Sequence, residues 1–137
     1  MLMDRILEGL KLDEGFRSFP YRCTANKLTI GYGRNLEERG ITKEEATHLL
    51  KNDIREVLYD LQQIFRDYDI YPESVQYVLA NMRFQLGSGG FRNFKNMIAA
   101  IKRENWQQAA IEMINSKWYR QTTKRANRLV DIMKGVK

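Results

Sequence analysis

A helical apolar period that continues for about twenty residues is the feature that most constrains the fold of this chain. The period is carried by Ala46, Leu49, Leu50, Ile54, Val57, Leu58, Leu61, Ile64 and Phe65. It begins behind Thr42 and Glu45, whose side chains can each bond the other residue's free backbone amide as a capping box. We therefore predict one long helix over about residues 42–65, which is long enough to join two lobes.

The composition is that of a folded chain without an obvious metal or cofactor site. Of the 137 residues, 43% are apolar, which is enough for the core of one domain. With one Cys and one His, the chain can form no internal disulfide and is not expected to bind zinc. No apolar run reaches the roughly 18 residues of a membrane span, so we expect no stable membrane insertion. The N-terminus lacks a basic segment followed by an apolar one, and no secretory signal is predicted.

The first 35 residues combine a helix with a small sheet. One apolar face predicts the helix: Met3, Ile6, Leu7 and Leu10. We expect Gly15 to end it. Helical spacing is then lost over residues 18–35, where Pro20, Gly31 and Gly33 favour a small antiparallel hairpin or sheet.

Four apolar stripes at helical spacing predict four helices after a break at residues 67–72. The stripes begin at Val75, Phe94, Trp106 and Ala126. We expect a loop over residues 86–90, a cap at Asn93 for the second of these helices, and a cap at Thr122 for the last. Four methionines lie on these stripes and are predicted to be core residues: Met82, Met97, Met113 and Met133.

These elements predict an α+β fold with a small N-terminal lobe that carries the hairpin or sheet, a long connecting helix and an all-helical C-terminal lobe. We expect one domain over residues 1–137, with the N-terminal lobe at about 12–50. The C-terminal lobe would hold about residues 66–137 together with the first helix. A cleft between the lobes is where a site is expected.

Positive charge is concentrated in the C-terminal third. Residues 92–137 hold 11 Lys and Arg and 3 Asp and Glu, a net charge of +8, whereas the whole chain carries +6. Such a surface attracts polyanions, including nucleic acid, anionic lipid and anionic cell wall. Nucleic acid is not expected as a partner, because few aromatic residues interleave the basic ones and no recognised binding motif accompanies them.

Glu14 is the strongest candidate for an acid catalyst. It lies where the first helix is predicted to end, and the dipole at a helix C-terminus disfavours the charged carboxylate. A carboxylic acid that stays protonated near neutral pH can act as a general acid. A solvated surface glutamate beside Asp13 is the simpler alternative.

Cys23 and Thr29 follow Glu14 within the predicted hairpin. Cys23 has cationic neighbours, Arg22 and Lys27, which lower a thiol pKa and favour the nucleophilic thiolate. A lone cysteine is more often an inert buried residue. A threonine in a strand is usually explained by its β propensity, but a hydroxyl across from an acid can also hold a water molecule.

Two other polar residues have a less specific context. Arg125 belongs to a cationic helical face that solvent alone would explain, although an arginine that reached Glu14 would favour the ionised carboxylate. His48 lies on the long helix and is interpreted as a surface or rim residue.

Five motifs, in order along nearly the whole chain, resemble those of the phage-type lysozymes (glycoside hydrolase family 24, the T-even phage lysozyme-like endolysins). They lie at residues 14–33, 40–46, 81–87, 90–94 and 116–126. The first ends in Thr-Ile-Gly-Tyr-Gly, and the last begins with Ser-Lys-Trp-Tyr-Arg-Gln-Thr.

The resemblance implies a lysozyme-like fold and a role for each matching residue. Glu14 matches the general acid, Thr29 the threonine that helps to place the attacking water, and Arg125 the arginine that pairs with the acid. Phe84 and Gln85 match residues that line the sugar cleft. The implied substrate is peptidoglycan, cleaved between N-acetylmuramic acid and N-acetylglucosamine, and no cofactor is implied.

The resemblance also implies how such a protein works in the cell. It would be a monomeric endolysin made in the host bacterial cytoplasm, without a signal peptide. It would act on the cell wall after the membrane is permeabilised, and its cationic third suits an anionic wall or envelope surface.

Three departures from the family pattern stand out. The aspartate expected nine residues after the glutamate is Cys23, the histidine after the second glycine is Arg34, and the chain ends sooner after residues 125–126. Glycosidases normally use two carboxylates, so the cysteine matters most. The thiol could act as a base toward water, as a nucleophile on the sugar, or as a bystander of natural or engineered origin.

Three functions therefore stay open. A muramidase is favoured. A lytic transglycosylase needs only one acid/base glutamate and leaves an anhydro sugar instead of a reducing end. A catalytically weakened glycan-binding protein would keep the cleft and the charge, but it would have no use for both Glu14 and Thr29.

Overall fold

The computed structural model describes residues 1–137 and confirms the predicted α+β class. The chain divides into two compact units, residues 1–49 and residues 50–137. The expectation of one domain whose C-terminal lobe includes the first helix stays a prediction. No helix combines the length and the apolar composition needed to cross a membrane.

The first unit contains the predicted helix and sheet. Helix α1 spans Leu2–Glu14 and ends at Gly15, whose φ of 72° is a conformation that glycine adopts without strain. Strands β1 (Arg17–Arg22), β2 (Leu28–Gly31) and β3 (Arg34–Asn35) form an antiparallel sheet in the order β1-β2-β3. A short helix that the sequence analysis missed, α2 at Leu36–Arg39, follows β3 directly.

The C-terminal end of α1 is fixed by aromatic contacts with the turn after β2. The Phe16 and Tyr32 ring centroids are 5.5 Å apart, and the Lys11 ammonium lies 5.7 Å from the centre of the Tyr32 ring. No residue of α1 is buried, so its predicted apolar face is exposed. These contacts hold the end of α1 beside the sheet.

The predicted long helix is confirmed as α3, Lys43–Ile64. Its capping box forms as expected: the Thr42 amide donates to Glu45 Oε1 at 2.8 Å, and the Glu45 amide donates to Thr42 Oγ1 at 3.1 Å. The buried residues of α3 all lie in its second half, at Val57, Leu61 and Ile64.

The second unit is helical around one apolar core. After a 3-10 turn at Tyr68–Ile70 come α4 (Glu73–Arg92), α5 (Lys95–Lys102), α6 (Trp106–Ile114), α7 (Lys117–Gln121) and α8 (Thr123–Lys134). The prediction of four core methionines is confirmed, since each is at most 1% exposed: Met82, Met97, Met113 and Met133.

The predicted loop over residues 86–90 is wrong. Helix α4 continues to Arg92 across a kink at Gly87, the one residue inside it with non-helical angles (φ 75°, ψ 170°). A single glycine at positive φ redirects the chain, and the helical hydrogen bonds resume after it.

One predicted cap is wrong, and the other is confirmed in its position but not in its hydrogen bond. Asn93 ends α4 instead of starting the next helix, whose N-cap is Phe94. Thr122 is the N-cap residue of α8, but its hydroxyl donates to the Trp118 carbonyl at 2.9 Å instead of capping. That carbonyl belongs to α7, the second short helix that the sequence analysis missed.

Candidate active site

Glu14 is the last residue of α1, and its carboxylate lies against the turn after β2. A Cβ built at Gly33 would be 3.0 Å from Glu14 Oε2 and 3.3 Å from its Cδ. A Cβ at this distance would be a tight contact that makes the exposed Glu14 carboxylate shift, and Gly33 also has a φ of 80°. The turn at Gly33 therefore packs against the side chain that the sequence predicts to be the acid.

Cys23 begins a tight turn between β1 and β2. The Cys23 amide donates to the Lys27 carbonyl at 3.0 Å, and the Asn26 amide donates back to the Cys23 carbonyl at 2.8 Å. Asn26 has a φ of 60°, a conformation that asparagine tolerates better than most residues. The turn carries the half-buried thiol at its first position.

The turn favours a negative charge on the sulfur. Hydrogen bonds from the backbone amides of Lys27 and Ala25 lower the pKa of the Cys23 thiol, and the Thr29 hydroxyl adds a smaller effect in the same direction. The expectation that Arg22 has this effect is wrong. Arg22 instead forms an ion pair with Glu37, and Lys27 Nζ lies 3.2 Å from Glu38 Oε1.

Thr29 is the most buried polar residue of the chain, at 3% exposure. It lies in β2 opposite Tyr21 on one side and Asn35 on the other. Its hydroxyl donates to the Lys27 carbonyl at 2.8 Å and contributes to the lowered pKa of the Cys23 thiol. The structure thus brings Thr29 and Cys23 together, in the same unit that presents Glu14.

Arg34, at the position where the resemblance implies a histidine, is part of a polar contact that the sequence analysis missed. Its guanidinium donates to Glu45 through both terminal nitrogens, at 2.8 and 2.5 Å, and to the Gly40 carbonyl at 3.1 Å. The Arg34 hydrogen bonds, followed by that of the Thr42 amide, lower the pKa of Glu45 to about 2. The capping-box glutamate thereby also ties the end of the sheet to the start of α3.

In the second unit, Gln85 lines an open groove of about 660 Å³. The Trp118 indole nitrogen donates to Gln85 Oε1 at 2.9 Å and so orients the amide. The groove also presents Glu112, Asn115 and Lys117. Amide, aromatic and charged groups in one open groove suit a polar ligand such as a glycan or a peptide.

Phe84 does not line this groove. It is 46% exposed and lies beside a separate hollow of about 290 Å³, which it lines with Asp53, Glu56, Val57 and Arg83. The two neighbouring residues that the resemblance assigns to one cleft therefore border different hollows of the second unit.

Arg125 is held on α8 by α4. Its Nε donates to Asn81 Oδ1 at 2.9 Å and its Nη2 to the Asn81 carbonyl at 3.3 Å. One turn further along, Arg128 donates to the Tyr77 hydroxyl at 2.8 Å, which lowers the pKa of that phenol. His48 is exposed on α3, as predicted.

No three His, Cys, Asp or Glu side chains come close enough together to hold a metal ion. The polar groups of the first unit are instead a carboxyl at a helix end, a thiol in an amide-lined turn and a buried hydroxyl beside it. Chemically, such a set can supply a proton donor, an anionic base or nucleophile, and a group that positions water.

Comparison with known proteins gives a match over most of the chain. The sequence model of the family described as phage lysozyme matches residues 11–132. Probable T4-type lysozyme 2 of Dictyostelium discoideum is 27% identical over 161 aligned residues, which cover 96% of this chain and 94% of that protein.

Two phage proteins are similar over a part of their own length. The pre-baseplate central spike protein Gp5 of Enterobacteria phage T4 is 29% identical, with 92% of this chain and 27% of the spike protein covered. The peptidoglycan hydrolase gp36 of Pseudomonas phage phiKMV is also 29% identical, with 88% of this chain and 14% of the hydrolase covered.

Proposed function

This chain belongs to the phage lysozyme family, and from that premise we propose that it is a muramidase that degrades peptidoglycan. The bond it cleaves is the β-1,4 linkage between N-acetylmuramic acid and N-acetylglucosamine. The T4-type lysozyme of Dictyostelium that resembles the chain over nearly its full length supports the activity, and the phage relative named a peptidoglycan hydrolase supports the substrate.

Glu14 is the general acid. It donates its proton to the glycosidic oxygen as the bond to the leaving sugar breaks, which removes the need to expel an alkoxide. Its side chain packs against Gly33, which places the carboxyl beside the turn after β2. Fixed geometry of this kind is what an acid catalyst requires.

Cys23 takes the part of the missing second carboxylate. The observation that carries this assignment is the turn whose backbone amides lower the pKa of the thiol. A thiolate there can accept a proton from a water molecule held by Thr29, and that water then attacks the anomeric carbon. The same thiolate could instead attack the sugar and form a thioglycoside that water later hydrolyses.

The second unit supplies binding groups. Gln85, oriented by Trp118, offers its amide nitrogen to the glycan or to its peptide substituent in the 660 Å³ groove. Arg125 is held by Asn81, and Phe84 offers an exposed aromatic face to the substrate. The positive charge of residues 92–137 favours binding to an anionic wall or envelope.

The biological role that follows is lysis of the host cell by a monomeric endolysin. Synthesis takes place in the host cytoplasm, and the wall is reached once the membrane has been permeabilised. The route to the wall is a separate hypothesis from the chemistry. If the purified protein lyses cells only after their membranes have been permeabilised, the route is supported. Lysis of intact cells by protein added from outside would contradict it.

A lytic transglycosylase remains the second candidate function, because the chain has a thiol where a glycosidase normally has its second carboxylate. In that reaction the muramyl 6-hydroxyl closes on the anomeric carbon, so no water is consumed. The two reactions leave chemically different ends, and analysis of the products separates them.

The acid is tested by Glu14→Gln, which keeps the shape of the side chain but cannot release a proton. We expect the rate at which a peptidoglycan suspension clears to fall by about 10²- to 10⁴-fold, with an unchanged melting temperature. Glu8→Gln, an exposed glutamate on the same helix, is the matched control and should clear at the original rate. Clearing by the Glu14 variant at the original rate would assign the acid to another residue.

A further inference from the structure

Glu37 binds both strands of the hairpin at the place where they enter and leave the Cys23 turn. The Leu28 amide donates to Glu37 Oε1 at 3.0 Å, and Arg22 Nη1 donates to the same oxygen. Arg22 and Leu28 face each other in the register of β1 and β2. One carboxylate oxygen thus connects the last residue of β1 with the first residue of β2.

This contact fixes the turn from outside. Cys23 directly follows Arg22, and Lys27 directly precedes Leu28, so both ends of the turn are joined to the residues that Glu37 holds. Arg22 Nη1 also reaches the Asn26 carbonyl at 3.4 Å, inside the turn. A substitution of Glu37 should therefore change the positions of the backbone amides in the turn that carries the Cys23 sulfur.

Glu37 is itself presented by a short, well-anchored element. Helix α2 begins directly after β3, and Asn35 caps it by accepting a hydrogen bond from the Glu38 amide at 3.0 Å. Asn35 is also the register partner of Thr29 in the sheet. The position of Glu37 is thereby tied to the same strands that carry the proposed catalytic groups.

We propose that Glu37 is a positioning residue, which holds the turn so that the Cys23 sulfur faces the amides of Ala25 and Lys27 beside the Thr29 hydroxyl. The proposal deepens the proposed function, since it explains how a thiol can occupy the position of a carboxylate. Glu37 acts through the hairpin and does not touch the substrate.

The charges around the turn make the proposal testable, because charge and position have opposite effects on the thiol. The charged groups at the turn are Arg22, Lys27, Glu37 and Glu38. Removal of the Glu37 charge by itself favours the thiolate, since an anion is lost and Arg22 is freed. Loosening of the turn disfavours the thiolate, since the sulfur then loses its amide donors.

The experiment measures the rate of Cys23 alkylation by iodoacetamide against pH in Glu37→Ala, Glu37→Gln and Glu38→Ala. Cys23 is the only cysteine, so alkylation reports this thiol alone and needs no turnover. The Gln variant keeps an acceptor for the Leu28 amide without the charge. The Glu38 variant removes a charge from the same helix without touching that amide.

We expect the midpoint of the alkylation profile to rise by about one pH unit in Glu37→Ala and to stay the same or fall in Glu37→Gln and Glu38→Ala. In parallel, kcat should fall about tenfold in Glu37→Ala at an unchanged KM, and Glu37→Gln should restore it to within about twofold. An equal shift of the midpoint in Glu37→Ala and Glu37→Gln, or a fall in both, would overturn the proposal.

The proposal and the function beneath it can fail separately. A raised alkylation midpoint in Glu37→Ala without any loss of kcat would keep the positioning role and would remove Cys23 from the reaction. An unmoved midpoint would refute the positioning role whatever happens to turnover.

Discussion

Gly33 is the residue whose position is explained most directly by the proposed acid. The space that a side chain would fill at this position is occupied by the Glu14 carboxylate, 3.0 Å from the expected Cβ. Gly31, two residues earlier, also has a positive φ, but no atom lies within 4 Å of its expected Cβ. A comparison of substitutions at Gly31 and Gly33 therefore separates the effect of backbone strain from the effect of a contact with Glu14.

We expect Gly33→Ala to lower both stability and activity, and Gly31→Ala to lower stability alone. Each substitution places a Cβ at a positive φ and should cost about 1 kcal/mol of unfolding free energy. Only Gly33→Ala displaces Glu14, and a displacement of this kind should reduce kcat by about tenfold or more. Chemical denaturation and wall-clearing rates measure the two effects. Equal kcat values in the two folded variants would mean that the contact with Gly33 does not matter for the reaction.

The thiol shows what residue types alone can and cannot predict. The sequence pointed to Cys23 as an activated thiol because two cations are its neighbours along the chain. In the fold those cations pair with Glu37 and Glu38, and the activation comes from the backbone amides of Ala25 and Lys27. Backbone amides carry no sequence signal, so this cause could not have been inferred before the turn geometry was known.

At the level of elements, the kinked helix α4 is held across its break by one carboxylate. Asp60 on α3 accepts hydrogen bonds from Arg83 Nε at 2.6 Å and Ser88 Oγ at 2.7 Å, and from Arg92 Nη2 at 2.6 Å. Arg83 precedes Gly87 and the other two donors follow it, so Asp60 fixes both segments of α4. Burial opposes the ionised form, but the three hydrogen bonds outweigh it and lower the pKa of Asp60 to about 2.

The lowered pKa predicts a contribution to stability that depends on pH. Because the folded state binds the Asp60 proton less tightly than the unfolded state, whose pKa is near 3.8, the contribution is complete above pH 4. It is lost as pH falls from about 4 through about 2. We expect Asp60→Asn to lower the unfolding free energy by about 2 kcal/mol at pH 7 and by much less near pH 2.

The measurement is urea denaturation of the original protein and of Asp60→Asn over this pH range. Asp53→Asn, an exposed aspartate on the same helix, is the control and should change stability by less than about 0.5 kcal/mol. A loss in Asp60→Asn that stays the same at pH 2 and pH 7 would show that its ionised form is not what stabilises α4.

The helices that could be predicted are those with a long apolar period. Helix α3 and its capping box were predicted from Thr42 onward, and α1 was predicted to end at Gly15. The short helices α2 and α7 were missed, since four or five residues are too few to show a period. The segment after Gly87 was misjudged because three glycines suggest a loop, while the bonds to Asp60 that keep it helical are distant in sequence.

For the whole molecule, the order of motifs along the chain predicted more than any single residue did. The α+β class follows from a helix, a glycine-rich sheet segment and a long series of helical periods, and the structure confirms it. The family resemblance is confirmed by a match over residues 11–132. The residue roles are predictions that follow from it, with Glu14, Cys23 and Thr29 in the first unit and Phe84, Gln85 and Arg125 in the second.

The central claim is that a carboxyl and a thiolate together cleave the wall glycan with water, and mass spectrometry of the digestion products tests it most directly. Peptidoglycan is digested with the untreated protein, with its Cys23-alkylated form and with Cys23→Asp. We expect reducing N-acetylmuramic acid ends from the untreated protein and from Cys23→Asp, and a loss of product of about 10²-fold or more on alkylation. Anhydromuramyl ends, or an undiminished yield after alkylation, would contradict the claim.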